Sequence, residues 1–183
     1  IDLDSPASLD QASQALMTLV QRMEIPDHIA DAIHAEYDRL AIECGGQTFT
    51  VAVRSSALHE DGEHSFAGQY HSLLGVDRSQ LLTAYLEVCA SKYSPQALLY
   101  RIHAGISDEE AAMAVVVQKM IAAVASGVVY TRDPTATGTG ALLVHTVHGI
   151  GLPLVGGETV PDVYCFPADS AVPTEWIAGS QHH

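Results

Sequence analysis

The sequence predicts an α+β fold whose sheet is largely antiparallel. Helical patterns fill the N-terminal part, strand patterns dominate after residue 112, and no regular strand–helix alternation that would build a parallel sheet is found. Hydrophobic residues make up 48% and charged residues 16% of the chain, a balance typical of a folded protein rather than a disordered one. The length of 183 residues is enough to bury a core within a single domain.

Two amphipathic helices are predicted at the N-terminus. Ser8 is a suitable N-cap for the first, which extends to about Met23. The second helix follows Pro26, has one apolar face and ends at Gly45, beside a second glycine. We therefore expect residues 1–47 to form a helical N-terminal segment.

A strand and a polar loop are predicted next. Residues 48–53 are rich in β-branched side chains, which favours a strand, and Arg54 to Gln69 are predicted to form a polar loop. Residues 70–76 are predicted to form another strand. Arg54 is therefore expected where a strand enters a loop.

Capping signals predict two further helices, and apolar runs predict the remaining strands. Asp77 opens one helix, and Ser94 followed by Pro95 opens another that ends near Gly105. The first two of the later strands are interpreted as buried because they are continuously apolar. These later strands are predicted at residues 113–117, 128–131, 141–147 and 159–166.

The composition excludes several classes of partner and site. A formal net charge of −14 leaves no basic stripe for nucleic acid or for an anionic membrane surface. Gln118 and Lys119 interrupt the apolar stretch of residues 111–130, which argues against a membrane-spanning helix. The three cysteines form no C-x-x-C pair and indicate free thiols in a cytoplasmic protein. Neither they nor the ten histidines show metal-ligand spacing, so no metal ligand is predicted in this chain.

Arg54 is the residue most indicative of function. Only eight Lys and Arg stand against 22 Asp and Glu, and a guanidinium offers planar donors that suit phosphate oxygens. A thin segment of small residues follows at Ser65, Ala67, Gly68 and Gln69, where Gly68 permits close backbone approach to a ligand. The alternative for Arg54 is an ordinary ion pair with a carboxylate of the same polar loop.

A second candidate segment is Gln118-Lys119-Met120, at the end of an apolar strand. Its backbone groups could read the edge of a flat ring while the soft Met120 side chain packs against that ring. The alternative is a core methionine beside a solvated lysine. Spacing alone leaves both interpretations open.

The order of these motifs resembles that of a known enzyme family. The chain carries, in sequence, V-R-S-S-A, S-F-A-G-Q, V-Q-K-M, S-G-V-V-Y-T-R-D-P, G-x-G and P-D-x-Y. This order resembles the ATP-binding N-terminal part of the phosphoenolpyruvate synthase and pyruvate phosphate dikinase family, over about residues 49–166. The resemblance implies an ATP-grasp-like nucleotide-binding region at residues 48–178. Independently of it, residues 179–183 are interpreted as the remnant of a purification tag.

The resemblance also implies a role for each candidate residue. In such enzymes ATP phosphorylates a histidine on a separate swivelling domain, which then phosphorylates an acceptor. Arg54 would contact the ATP phosphates as the catalytic residue, under a covering loop that contains Ser65, Ala67, Gly68 and Gln69. The adenine pocket would be lined by Gln118, Lys119, Met120 and Ile121. The implied cofactors are ATP and Mg²⁺, with the Mg²⁺ ligands outside this chain, and the implied partners are the swivelling and acceptor-binding domains of the same longer protein.

The chain departs from the family pattern at several motifs. Leu152 follows G-I-G where the family has a glutamate, and segments like V-G-G-K, Q-x-R-P and the phosphohistidine motif are absent. We therefore expect a nucleotide-binding domain that is incomplete at both ends, and an isolated chain that is inactive. Two alternatives stay open: a catalytically inactive ATP-grasp-like regulatory module, and a rifampicin-phosphotransferase-like enzyme. The final phosphoryl acceptor stays open as well.

Overall fold

The chain folds into two compact units, residues 1–120 and 121–183. The structure is a computed structural model, and it describes residues 6–45, 49–57, 72–131, 141–167 and 170–179. Each unit contains one sheet, and every strand pair in both sheets is antiparallel. The predicted α+β class with antiparallel pairing is confirmed, but the strands form two sheets rather than the one that was predicted.

Local capping determines where the helices of the first unit begin and end. The Ser94 hydroxyl accepts a hydrogen bond from the Ala97 amide at 3.3 Å, and Gly105 closes the same helix in the left-handed region at φ 67°. Asp77 forms a capping box in front of a short 3-10 turn, Arg78–Gln80. The helices, close to those predicted, are α1 (Pro6–Gln21), α2 (Asp27–Glu43), α3 (Leu81–Ser91) and α4 (Pro95–Ala104).

The first sheet packs one face against α2 and α3. Its strands are β1 (Val51–Ala57), β2 (Ser72–Val76) and β3 (Met113–Lys119), in the order β2-β1-β3. The core beneath the helices combines strand and helix side chains, and its buried members are Tyr37, Val51, Val53, Val76, Leu81, Ala84 and Val88. Burial of these apolar groups is the main source of stability for this unit.

The predicted boundary of β1 is wrong. The strand does not end at Val53 but continues through Arg54, Ser55 and Ser56 to Ala57, because each of these residues pairs with β3. Arg54 and Ser56 stand on the face that α2 and α3 do not cover, where guanidinium and hydroxyl side chains are tolerated, while the short Ser55 side chain is half-buried on the other face. Arg54 therefore belongs to the central strand of the sheet and not to a loop.

A polar cluster around Asp108 ties the end of α4 to the segment after it. The buried Arg101 donates to Asp108 at 2.8 Å, the Lys92 ammonium lies 3.0 Å away, and the Tyr93 hydroxyl donates at 3.1 Å. Burial raises the pKa of Asp108, but the hydrogen bonds from Arg101, Lys92 and Tyr93 outweigh it and hold the pKa below its ordinary value. The cluster is therefore most favourable when Asp108 is ionised.

Replacing Asp108 by asparagine should lower the free energy of unfolding at neutral pH by about 1–2 kcal/mol, since the carboxylate is half exposed and partly screened. A carboxyl whose folded pKa is depressed stabilises the fold above its unfolded pKa, and that stabilisation disappears as the pH falls through the folded value. Urea unfolding of both proteins from pH 7 down to pH 3 should show a difference that shrinks in acid. A pH-independent difference would contradict this account.

In its described residues, the second unit forms a four-stranded sheet with little helical cover. Its strands are β4 (Ala125–Tyr130), β5 (Leu142–His148), β6 (Asp162–Phe166) and β7 (Glu175–Ile177), paired in that order. The short β7 and the single-turn helix α5 (Leu152–Val155) were not predicted. The expectation of two buried strands is wrong, because Val116 of β3 is 40% exposed and Val129 of β4 is 57% exposed.

None of the helices in the described parts of the chain combines the length and the apolar character that crossing a bilayer requires. The helical N-terminal segment at 1–47, the nucleotide-binding region at 48–178 and the tag remnant at 179–183 stay predictions.

Candidate functional site

The pairing of β1 with β3 places Arg54, Gln118 and Met120 on one face of the first sheet. Arg54 stands opposite Val116, and Ala52 stands opposite Gln118. The Met120 amide donates to the Thr50 carbonyl at 2.9 Å, so the register continues to this pair. Because side chains alternate between the two faces of a sheet, the even-numbered residues of both strands point to the same side.

This face is the one that α2 and α3 do not cover. The strand residues in the core cluster or packed against it include Val51, Val53, Met113 and Val115, which all stand on the opposite face. Arg54, Gln118 and Val116 are correspondingly exposed. The sheet thus has a helix-covered face and an open face, and the predicted phosphate-binding arginine lies on the open one.

The open face is long enough for a nucleoside triphosphate lying along β3. From the position opposite Arg54 to Met120 the strand advances four residues, or about 13 Å at ~3.3 Å per residue. That length is comparable with the separation between the phosphates and the base of an extended ATP. Ala52 stands opposite Gln118, and its small side chain leaves room for a ligand above the middle of this path.

The structure divides the predicted adenine-lining residues between the two faces. Gln118 and Met120 share the open face with Arg54, whereas Lys119 pairs with Val51 and stands on the helix-covered side. Ile121 is 78% exposed and is the first residue of the second unit. The predicted covering residues Ser65, Ala67, Gly68 and Gln69 lie outside the described residues, and so do the carboxylates of the polar loop.

Charge on the open face is positive where the structure describes it. Arg54 has no ion pair with any described carboxylate, whereas Arg39, Arg78 and Arg101 each pair with an acidic residue. The described side chains of this face include no carboxylate, and no group of three or more potential metal ligands occurs among the described residues. This face therefore suits an anion but does not by itself suit Mg²⁺, whose protein ligands are oxygen donors such as carboxylates.

Sequence reasoning missed two residues that form the floor of this face. Ala52 of β1 and Val116 of β3 stand beside Arg54 and Gln118 on the open side. The sequence contains a signal for them. Val51 and Val53 are apolar and alternate with Ala52 and Arg54, a pattern that predicts a strand with two different faces. The polar residues after Val53 conceal this alternation, because they favour a loop.

The chain matches known proteins over almost its full length. A protein-family model described as "Pyruvate phosphate dikinase, AMP/ATP-binding domain" matches residues 1–179. A probable phosphoenolpyruvate synthase of Methanocaldococcus jannaschii is 34% identical over 166 residues, which are 90% of this chain and 14% of the relative.

Two further relatives are named phosphoenolpyruvate synthases. The phosphoenolpyruvate synthase of Pyrococcus furiosus is 33% identical over 165 residues, or 89% of this chain and 20% of the relative. That of Aeropyrum pernix is 35% identical over 159 residues, or 86% of this chain and 19% of the relative. The chain thus spans a fifth or less of the length of these three relatives. By the match over residues 1–179, this chain belongs to the family of the pyruvate phosphate dikinase AMP/ATP-binding domain.

Proposed function

We propose that the chain binds ATP on the open face of its first sheet. The observation that carries this proposal is the shared face of Arg54, Gln118 and Met120, since it aligns an anion-binding group, an amide and an apolar side chain along one path. Membership of a family described by AMP or ATP binding supports the choice of nucleotide. The acidic remainder of the chain makes a second anion site less favourable.

Each residue of the open face has a distinct proposed role. The Arg54 guanidinium donates to phosphate oxygens, and its fixed fork favours two parallel hydrogen bonds. Gln118 of β3 lies two residues beyond the position opposite Arg54. Its side-chain amide donates to the sugar–phosphate region. Met120 packs against the base. Lys119 and Ile121 contribute main-chain groups at the edge of the base rather than side chains.

The covering role of the loop with Ser65, Ala67, Gly68 and Gln69 is part of the same proposal. Small side chains would let its backbone amides approach the phosphates. Mg²⁺ would offset the triphosphate charge, and since the described side chains of the open face include no carboxylate, its ligands are proposed to lie outside this chain.

At the level of the whole protein we propose a phosphotransferase of the dikinase type, in which ATP phosphorylates a histidine on a separate domain. The relatives are named phosphoenolpyruvate synthases and are more than four times as long as this chain, so other domains would supply the histidine and the acceptor site. The isolated 183-residue chain is proposed to be inactive. The relatives reported above do not favour an inactive module or a rifampicin phosphotransferase, and neither is proposed.

Titration of the chain with MgATP in a calorimeter tests the site, with Gln118→Ala and Lys119→Ala as a matched pair. We expect Gln118→Ala to weaken binding about fivefold, the value of one lost hydrogen bond, and Lys119→Ala to change it less than about twofold. The two residues are neighbours in one strand, so a general disturbance of β3 would affect both alike. A larger loss in Lys119→Ala, or no binding by the unmodified chain, would contradict the proposed face.

A further inference from the structure

Tyr37 carries a hydroxyl group into the core cluster beneath the helices. The residue is 8% exposed on α2, and its hydroxyl donates to the Phe49 carbonyl at 3.0 Å. The two rings also stack, with centroids 5.0 Å apart and planes 11° from parallel. A buried hydroxyl needs a hydrogen-bond partner, and here that partner is a main-chain group that belongs to no helix or strand. Tyr37 therefore fixes the piece of chain that leads into β1.

This piece of chain continues to Thr50, which contacts the end of β3. The pairing of β1 with β2 and with β3 extends to Val51 in the sequence direction of Thr50. One residue further out, the Thr50 carbonyl accepts a hydrogen bond from the Met120 amide at 2.9 Å. The Phe49 carbonyl belongs to the planar peptide that joins Phe49 to Thr50, so a hydrogen bond to that carbonyl also restricts Thr50.

The pair of Thr50 and Met120 stands at the terminus of the ladder between β1 and β3. β3 ends at Lys119, and Met120 is the last residue of the first unit. Terminal pairs of a ladder open more readily than central ones, because they have neighbours on one side only. The hydrogen bond between Thr50 and Met120 thus keeps Met120 in register and its side chain on the open face.

The position of Tyr37 is itself well fixed. The next residue of α2, Asp38, accepts two hydrogen bonds from Arg78 at 2.7 and 2.8 Å, which joins α2 to the turn before α3. The Tyr37 ring lies in the core cluster. Burial raises the pKa of the Tyr37 hydroxyl and the nearby Asp77 raises it further, so the group remains a protonated donor at neutral pH.

We propose that Tyr37 is a positioning residue of the nucleotide site, which acts through residues 49 and 50 to hold Met120 against the base. The inference rests on the proposed function, in which Met120 is the side chain that packs on the base. Tyr37 itself touches no ligand, because it lies on the helix-covered side of the sheet. It fixes the base end of the site before the ligand arrives, which lowers the cost of ordering that end on binding.

Tyr37→Phe and Tyr93→Phe form the matched pair of variants. Each removes one hydroxyl and keeps the ring, and each deletes one hydrogen bond within the first unit, which for Tyr93 is the bond to Asp108 at 3.1 Å. Calorimetric titration with MgATP should show binding weakened about three- to fivefold in Tyr37→Phe, the value of one hydrogen bond. Tyr93→Phe should change binding less than about 1.5-fold.

Combination with Met120→Ala separates positioning from a general loss of stability. If Tyr37 acts through the Met120 side chain, Tyr37→Phe should change MgATP binding less than about 1.5-fold once that side chain is truncated. A general loss of stability would instead weaken binding by the same factor in both backgrounds.

Amide hydrogen exchange followed by NMR gives a measurement that needs no nucleotide. In Tyr37→Phe the exchange of the Met120 amide should accelerate at least about fivefold more than that of the Arg54 amide. Arg54 lies inside the paired part of β1, so its amide reports on the stability of the whole sheet. Equal acceleration at both amides would mean that the Tyr37 hydroxyl serves general stability alone.

The failure of this inference and the failure of the proposed function give different results. Binding of MgATP by the unmodified chain with equal effects of Tyr37→Phe and Tyr93→Phe would overturn the positioning role alone. An undiminished effect of Tyr37→Phe in the Met120→Ala background, or equal acceleration of the two amides, would do the same. No binding of MgATP by the unmodified chain would remove the proposed function and this inference with it.

Discussion

Replacement of Arg54 by alanine is expected to weaken MgATP binding by about 10- to 100-fold, or roughly 1.5–3 kcal/mol for a charge-assisted hydrogen bond to phosphate. The effect should be large because Arg54 is the one cation among the described side chains of the open face. Substitution by lysine keeps the charge but loses the planar fork, so Arg54→Lys should fall between alanine and the unmodified chain. Isothermal titration calorimetry measures all three.

Arg39→Ala is the matched control for this experiment. Arg39 lies on α2, where it pairs with Glu36 at 2.7 Å, and the helix packs on the opposite side of the sheet from the open face. Its loss changes the net charge as Arg54→Ala does, so any general electrostatic effect on an anionic ligand appears in both variants. Undiminished binding in Arg54→Ala, or equal losses in both, would remove Arg54 from the proposed site.

Replacement of Leu81 by alanine is expected to lower the free energy of unfolding by about 3 kcal/mol, within the range for large-to-small substitutions in a core. Leu81 is 1% exposed at the start of α3 and packs in the cluster that includes Tyr37, Val51 and Val53. Its truncation removes apolar contact and leaves a cavity that the rigid strands below cannot collapse to fill. Urea unfolding followed by circular dichroism measures the change.

Leu19→Ala is the corresponding control, because Leu19 lies on α1 with 64% of its surface exposed. The same atoms are removed, but little buried contact is lost, so the free energy of unfolding should change by no more than about 0.5 kcal/mol. Similar losses at both positions would mean that the cluster around Leu81 is not the core of the first unit. Equal slopes of the unfolding transitions would show that the unfolded states are comparable.

The helices could be predicted well because their signals are local. The limits of α4 follow from Ser94, Pro95 and Gly105, all within a few residues of the turns that they control. The capping box at Asp77 also needs no distant partner, although a 3-10 turn comes before α3. For these elements the neighbouring residues contain most of the information that the fold uses.

The strands were harder to predict because their partners are far away in sequence. β1 extends through Arg54 and Ser56 only because β3, separated from it by two helices, supplies the opposite hydrogen-bonding groups. The division into two sheets depends on the same kind of long-range pairing. β7, three residues long, is too short to leave a clear alternation in the sequence. The order of the motifs was enough to identify the family. Only the register between β1 and β3 shows that Gln118 and Lys119 stand on opposite faces of the sheet.

The central place of β1 has a consequence for how the proposed nucleotide site would behave when the protein fluctuates. The backbone at Arg54 is held by Ser72 of β2 on one side and Val116 of β3 on the other, so releasing it means disrupting both ladders next to the core. Its amide should therefore exchange with solvent only in openings close to global unfolding. The backbone that carries the guanidinium would stay paired during every local opening that is smaller than global unfolding. A ligand could then exchange rapidly while the proposed phosphate-binding geometry is kept.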